Sequence, residues 1–219
     1  MLKQQDLIDS LSPEIEPKKL ERFNVAFRTL GYQDDYCRYH YEMFQREFSL
    51  FKLAQSGKLE NEVTVNPQYY RIAFEANIYA FFRCFHSLME SIPYLLNILI
   101  DAKSDIEDKN IKWKSITEFC KKSKIYYVAI EKIEETLNAN SYLELDYLVN
   151  ISKHRRIVRI DSGQFSISKM PKFHRADLDK DLRNYEVKIL MENIYNDLFP
   201  KAIDIIKYFQ EIKLNNISS

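Results

Sequence analysis

Glycine is scarce in this sequence, and the scarcity limits what the chain can fold into. Of 219 residues only three are glycine: Gly31, Gly57 and Gly163. Tight hairpin turns need residues that reach positive φ without steric cost, and glycine is their main supplier. A β-sandwich or barrel of this length would use more of them. No two glycines lie near each other, which excludes a Gly-rich phosphate loop of the P-loop or Rossmann type. A chain with few tight turns and long elements points to helices.

The apolar spacing agrees. Leu20, Phe23, Phe27 and Leu30 recur at helical intervals over 18–30, and Gly31 reads as the stop. A second helix is predicted over 34–55, before Gly57. The polar segment 58–66, with Val63 and Val65 alternating, reads as a loop or short strand. Asn66-Pro67 then supplies the cap and first turn of a long helix that runs to Leu99 and kinks at Pro93. A charged connection over 101–112 leads to shorter helices over Trp113–Lys122 and 126–138. Asn140 or Ser141 caps the next, which runs to Ile157. Residues 158–173 change character: Val158, Ile160, Phe165 and Ile167 alternate around Asp161-Ser162-Gly163, a hairpin-like signal. Amphipathic stretches over 182–198 and 202–212 are separated at Pro200, and residues 1–11 can form a short helix. The expected architecture is all-α. It is one domain over 1–219, an up-down bundle with one long kinked helix and a small β-hairpin-like insert at 158–173.

Composition narrows the function classes. The chain is 46% hydrophobic and 14% aromatic, which excludes a disordered polymer. Lys and Arg number 32 and so do Asp and Glu, so any nucleic-acid contact must come from a local patch. Cys37, Cys84 and Cys120 are odd in number and form no CxxC pair. With no secretory signal at the N-terminus, a cytoplasmic setting with buried, inert thiols is expected. No apolar run approaches the roughly 20 residues of a membrane span, so no membrane partner is expected. His40, His86, His154 and His174 make no HxxxH, HxH or HExxH pattern, and no Glu-x-x-His pair occurs. Neither a metal nor a cofactor is expected.

One segment carries possible chemistry: Asp146-Tyr147-Leu148-Val149-Asn150-Ile151-Ser152-Lys153-His154-Arg155-Arg156. On a helical wheel with Tyr147, Leu143, Ile151 and Val158 taken as the buried face, His154 falls in the middle of that face. Asp146, Asn150 and His154 then form an i, i+4, i+8 polar ladder along its border, with Val149 opposite. His154 reads either as a core histidine with a polar partner across the bundle or as a proton-transfer or phosphate-binding group. Lys153, Arg155, Arg156 and Arg159 make the densest basic cluster around any histidine in the chain. On the long helix, Arg83, Glu90 and Asn97 share a stripe with His86. They read as a packing group, or as the opposite wall of a polar cleft in which Glu90 or Asp146 orients a histidine.

A helical bundle with a long second helix, and a later helix with a polar residue shortly before a histidine, resembles the HEPN superfamily. Catalytic members carry Arg, usually a polar residue, three further residues and His. Here Val149-Asn150-Ile151-Ser152-Lys153-His154 keeps the Asn and His and has Val149 in place of the Arg. The string also resembles a variant found in bacterial HEPN-like proteins. The resemblance implies an RNA-binding protein or a metal-independent ribonuclease of bacterial defence or toxin–antitoxin systems. His154 would be the acid/base and Asn150 would hold the histidine or the phosphate. Lys153, Arg155, Arg156 and Arg83 would be the cations at the phosphate. It also implies paired sites in a homodimer, which the aromatic-rich second helix over 34–55 supports, and a protein partner such as an antitoxin. The alternative is a non-catalytic helical interaction module in which His154 and Asn150 are structural.

Overall fold

The computed structural model of the protein describes residues 16–58, 66–105, 108–162 and 169–217. The expectations for residues 1–11, for most of 58–66, and for Phe165 and Ile167 lie outside the described residues. The architecture is all-α. Six α-helices are described: α1 (Pro17–Gln55), α2 (Pro67–Ile100), α3 (Trp113–Lys122), α4 (Ala129–Leu137), α5 (Asn140–His154) and α6 (Val187–Ile217). Strands β1 (Ile160–Asp161) and β2 (Lys172–Phe173) form a two-stranded antiparallel sheet, with Ile160 opposite Phe173 and Asp161 opposite Lys172.

Two expected breaks are absent. Helix α1 runs straight through Gly31, so 18–30 and 34–55 are one helix. Phe23, Leu30, Cys37, Phe44 and Phe51 are all buried at strict seven-residue spacing. That continuous stripe outweighs the ~1 kcal/mol that one glycine costs in a helix interior. Likewise α6 runs through Pro200. Ile194, Leu198, Ala202, Ile205 and Phe209 are buried on both sides of it. A proline in a helix interior loses one backbone hydrogen bond at a cost of ~3 kcal/mol, and burial of this stripe offsets it. The expected start of α2 is present: the backbone N–H of Gln68 donates to Asn66 Oδ1 at 3.0 Å. The helix continues through Pro93.

The chain gathers into two compact units, one built from three separate stretches and the other from two. The first holds the described residues of Met1–Gln33, Ser87–Ala139 and Leu198–Ser219. Its core includes Met89, Ile92, Leu96, Ile116, Ile133 and Phe209, all buried. Asn97 is 1% exposed because it closes the turn after α2, accepting the Lys103 backbone N–H at 2.8 Å.

The second unit holds Asp34–His86 and the described residues of Asn140–Asp197. Aromatic rings dominate its core. Phe48 meets Phe74 edge-on at 5.3 Å between centroids, Phe85 meets Tyr195 at 5.5 Å, and Phe82 meets Phe173 at 6.0 Å. These contacts tie α1 to α2, α2 to α6, and α2 to β2. All three cysteines are unbonded; Cys37 and Cys120 are buried and Cys84 is half-buried.

Candidate functional site

Helix α5 lies in the second unit, and the face it buries differs from the one predicted. Ser141, Glu144, Leu145, Leu148, Val149 and Ile151 are buried, whereas Leu143 is 52% exposed. The buried arc centres near Leu148, about 100° round the helix from Tyr147. A charged residue inside the arc hides it. Glu144 is buried because Arg183 satisfies both carboxylate oxygens. The Arg183 backbone N–H donates to Oε1 at 2.6 Å, and its Nε and Nη2 donate to Oε2 at 3.0 and 2.9 Å. Arg183 Nη2 also donates to Ser141 Oγ at 2.9 Å, so Ser141 engages this ion pair. A buried carboxylate is tolerable only with such saturation.

Turning the wheel this way moves the polar ladder outward. Asn150 and His154 are exposed, and Asp146 is half-exposed. His154 is therefore not a core histidine. The histidine that is buried and paired is His86, 8% exposed, whose Nε2 lies 3.1 Å from Asp146 Oδ1. A carboxylate only accepts, so the proton sits on Nε2 in this pair. Asn150 Nδ2 donates to the same Asp146 oxygen at 2.8 Å. Asp146 thus joins α2 to the ladder on α5. The carboxylate that meets His86 is Asp146, while Glu90 is exposed and belongs to the other unit.

A second contact fixes the direction of the two helices. The Tyr79 hydroxyl donates to the carbonyl of Val158, just past α5. Tyr79, Arg83 and His86 are four and three apart, and so share one face of α2. The outer two residues of that face touch Val158 and Asp146, so α2 and α5 run antiparallel here. Arg83 stands between them on the same face of α2 and is exposed. Arg83 on α2, and Asn150 and His154 on α5, are thus exposed residues of two adjoining helices. Lys153 is also exposed, beside His154 in sequence.

The other cations of the cluster are engaged. Arg156 Nη2 donates to Asp179 Oδ1 at 2.9 Å, and its Nε and Nη2 donate to the Asp177 carbonyl at 3.0 and 2.8 Å. Arg155 Nη1 donates to Asp179 Oδ2 at 3.3 Å. Arg159 Nε and Nη2 take both oxygens of Asp177 at 2.8 and 2.7 Å, and the Arg159 backbone N–H adds a third bond at 2.9 Å. The Asp179 backbone N–H donates to Tyr147 Oη at 2.6 Å, and Lys180 Nζ lies over the Tyr147 ring. Hydrogen bonds from Arg159 hold the Asp177 carboxyl well below the usual carboxylate range, and those from Arg156 lower Asp179. The expected phosphate-binding residues thus divide: Arg83 and Lys153 are exposed, whereas Arg155 and Arg156 are bound to the loop after β2.

No family model matches the chain, and no curated protein or solved structure is found similar to it. Among the described residues no group of His, Cys, Asp and Glu could hold a metal ion. No described helix is long and apolar enough to cross a membrane. The exposed side chains named here can supply proton transfer by an imidazole, hydrogen bonding by an amide, and charge neutralisation by a guanidinium.

Tyr79, Tyr147, Asp177, Asp179 and Arg183 were not expected at the site. Tyr79 and Arg183 act over long sequence separations and leave no local trace. Asp177, Asp179 and Asp181 do leave one: three alternating carboxylates follow the densest basic cluster, a charge complement readable from the sequence.

Proposed function

We propose that the exposed residues Arg83, Asn150 and His154 bind RNA and support its metal-independent cleavage, as the resemblance to the HEPN superfamily implies. The observation that carries this reading is the exposed His154 continuing a braced ladder, Asp146 to Asn150, with an exposed arginine, Arg83, on the adjoining helix. Neutral His154 would take the proton of a ribose 2′-hydroxyl as the 2′-oxygen attacks phosphorus. The 5′-oxygen leaves with a proton taken from the resulting imidazolium or from water, giving a 2′,3′-cyclic phosphate and a new 5′-hydroxyl. Arg83 would neutralise the charge gathered on the phosphoryl oxygens. Position 149 is fully buried, so the cation that the motif places there would have to come from another element, and the proposal gives that role to the exposed Arg83.

The same reading carries a homodimer, supported by the exposed Tyr36 and Tyr39 on α1, each 55% exposed. It also carries a protein partner such as an antitoxin and a cytoplasmic setting in bacterial defence, which the three unbonded thiols support. The test is incubation of mixed RNA, in chelator, with purified wild type and His154→Ala. Cleavage by wild type that is lost in the variant is expected. Equal cleavage by both, or none by either, overturns the catalytic assignment. Light scattering at micromolar concentration should give twice the chain mass.

A further inference from the structure

We propose that residues 174–181 act as a carboxylate strap. It occupies a three-arginine polyanion site, formed by Arg155, Arg156 and Arg159, and a bound polyanion displaces it. Only the identity of that polyanion as RNA rests on the function proposed above.

The geometry of the strap is that of an anion on its receptor. Asp177 presents two oxygens to the Nε and Nη2 edge of Arg159, at 2.8 and 2.7 Å, the fork-to-fork arrangement that guanidinium also offers phosphate. Asp179 bridges two guanidiniums, one oxygen to Arg156 at 2.9 Å and the other to Arg155 at 3.3 Å. One oxyanion shared by two arginines is how a phosphodiester is gripped. Asp177 and Asp179 are two residues apart, and the three arginines they engage lie within five positions of the chain. The strap therefore places two negative charges in series over a run of cations, as consecutive phosphates would.

The position of the strap is as telling as its chemistry. Its Asp179 backbone is fixed to Tyr147, and its Asp179 carboxylate reaches Arg155. Those two residues are eight apart, Tyr147 on α5 and Arg155 just past its end, and His154 lies between them, seven after Tyr147 and so on the same face. The strap spans the turns that bear His154 yet leaves His154 exposed. It takes the cations and leaves the imidazole open.

The strap is held at the surface by groups that water can replace. The side chains of Arg155, Arg156 and Arg159 are 67%, 43% and 68% exposed. The Asp179 pairs, with that carboxylate 48% exposed, contribute little to stability and exchange readily, whereas Asp177, 14% exposed, is the firmer anchor of the strap. A polyanion brings many phosphates against two carboxylates, and its binding releases counterions that the carboxylates do not. Competition by a polyanion is thus favoured at low salt.

The experiment measures binding of fluorescein-labelled inorganic polyphosphate and of a labelled polyuridine oligomer, by anisotropy, across a salt series. Full-length wild type is compared with D177N/D179N, and with D179N alone, which keeps the Arg159–Asp177 contacts if the double variant folds poorly. The double variant should bind polyphosphate at least about tenfold more tightly at low salt. Its log–log salt slope should steepen by about 2, since each of three freed guanidiniums adds ~0.7. D179N should fall between. Adding R155A/R156A/R159A should remove the gain. A gain with polyphosphate and none with polyuridine supports the strap and overturns the RNA reading. Unchanged or weaker polyphosphate binding by D177N/D179N, or by D179N in its place, overturns the strap.

Discussion

His86 Nε2 and Asp146 Oδ1 lie 3.1 Å apart, joining helices α2 and α5 through residues 60 positions apart in the chain. The imidazole is buried and the carboxylate half-exposed, so the pair forms at the rim of the core. Asp146 also accepts from Asn150 at 2.8 Å. One carboxylate therefore satisfies a buried donor on one helix and orients an exposed amide on its own.

Replacing Asp146 tests that double duty. D146A leaves His86 Nε2 without its acceptor inside the unit and should lower the free energy of unfolding by about 1–2 kcal/mol. D146N keeps an acceptor oxygen and should recover part of the loss. Urea unfolding followed by circular dichroism reads both. If D146A unfolds at the wild-type midpoint, the contact does not join the two helices.

The Glu144–Arg183 pair should be worth more to the fold. Glu144 is buried and takes three hydrogen bonds from Arg183, whose own side chain is 46% exposed. R183A strands a buried carboxylate. A fully buried pair broken this way loses 3–5 kcal/mol, and the exposure of Arg183 discounts that to about 2–3 kcal/mol. The double change E144L/R183A removes the stranded charge and should cost less than R183A alone. Additive losses in the cycle would show that the two side chains act independently.

Acid should release the strap. Arg159 holds the Asp177 carboxyl below its ordinary range, and Arg156 does the same for Asp179. A lowered folded-state pKa stabilises the folded protein above the ordinary carboxylate value, ~3.9, and the contribution fades as pH falls through the lower folded value. The Tm difference between wild type and D177N should therefore be full from neutral pH down to about 5 and close towards pH ~2. A difference that stays constant over that range would mean that charge on Asp177 does not fasten the strap.

The all-α fold, the Asn66 cap and the bounds of α3 were legible because each rests on a local signal: few glycines, an Asn-Pro pair, a short amphipathic run. Gly31 and Pro200 misled because local breakers were read without the stripe that spans them. Phe23, Leu30, Cys37, Phe44 and Phe51 continue across Gly31 in the sequence itself. The face of α5 was misread for the opposite reason. Tyr147 and Leu143 look like core residues and Glu144 does not, yet Arg183, 39 positions later, reverses the last of these. The ladder of Asp146, Asn150 and His154 was visible from spacing alone. Its brace from His86 needed the packing of α2 against α5, which is a tertiary fact.

The two described glycines should respond to alanine in opposite directions. Gly31 sits inside α1 without positive φ, and a Cβ built there meets nothing within 4 Å. Alanine fits without strain and narrows the unfolded ensemble, so G31A should raise stability by about 0.5–1 kcal/mol. Gly57 has φ of +66° and ends α1, where the Lys58 N–H reaches back to the Leu53 carbonyl at 3.0 Å. That left-handed closure costs a side-chain-bearing residue ~1 kcal/mol even where the space is open. G57A should therefore lower stability by about that amount. Thermal melts of both variants against wild type decide the matter. A destabilising G31A would mean that the helix does not run unbroken through residue 31, and a neutral G57A would mean that its end is not closed by a left-handed turn.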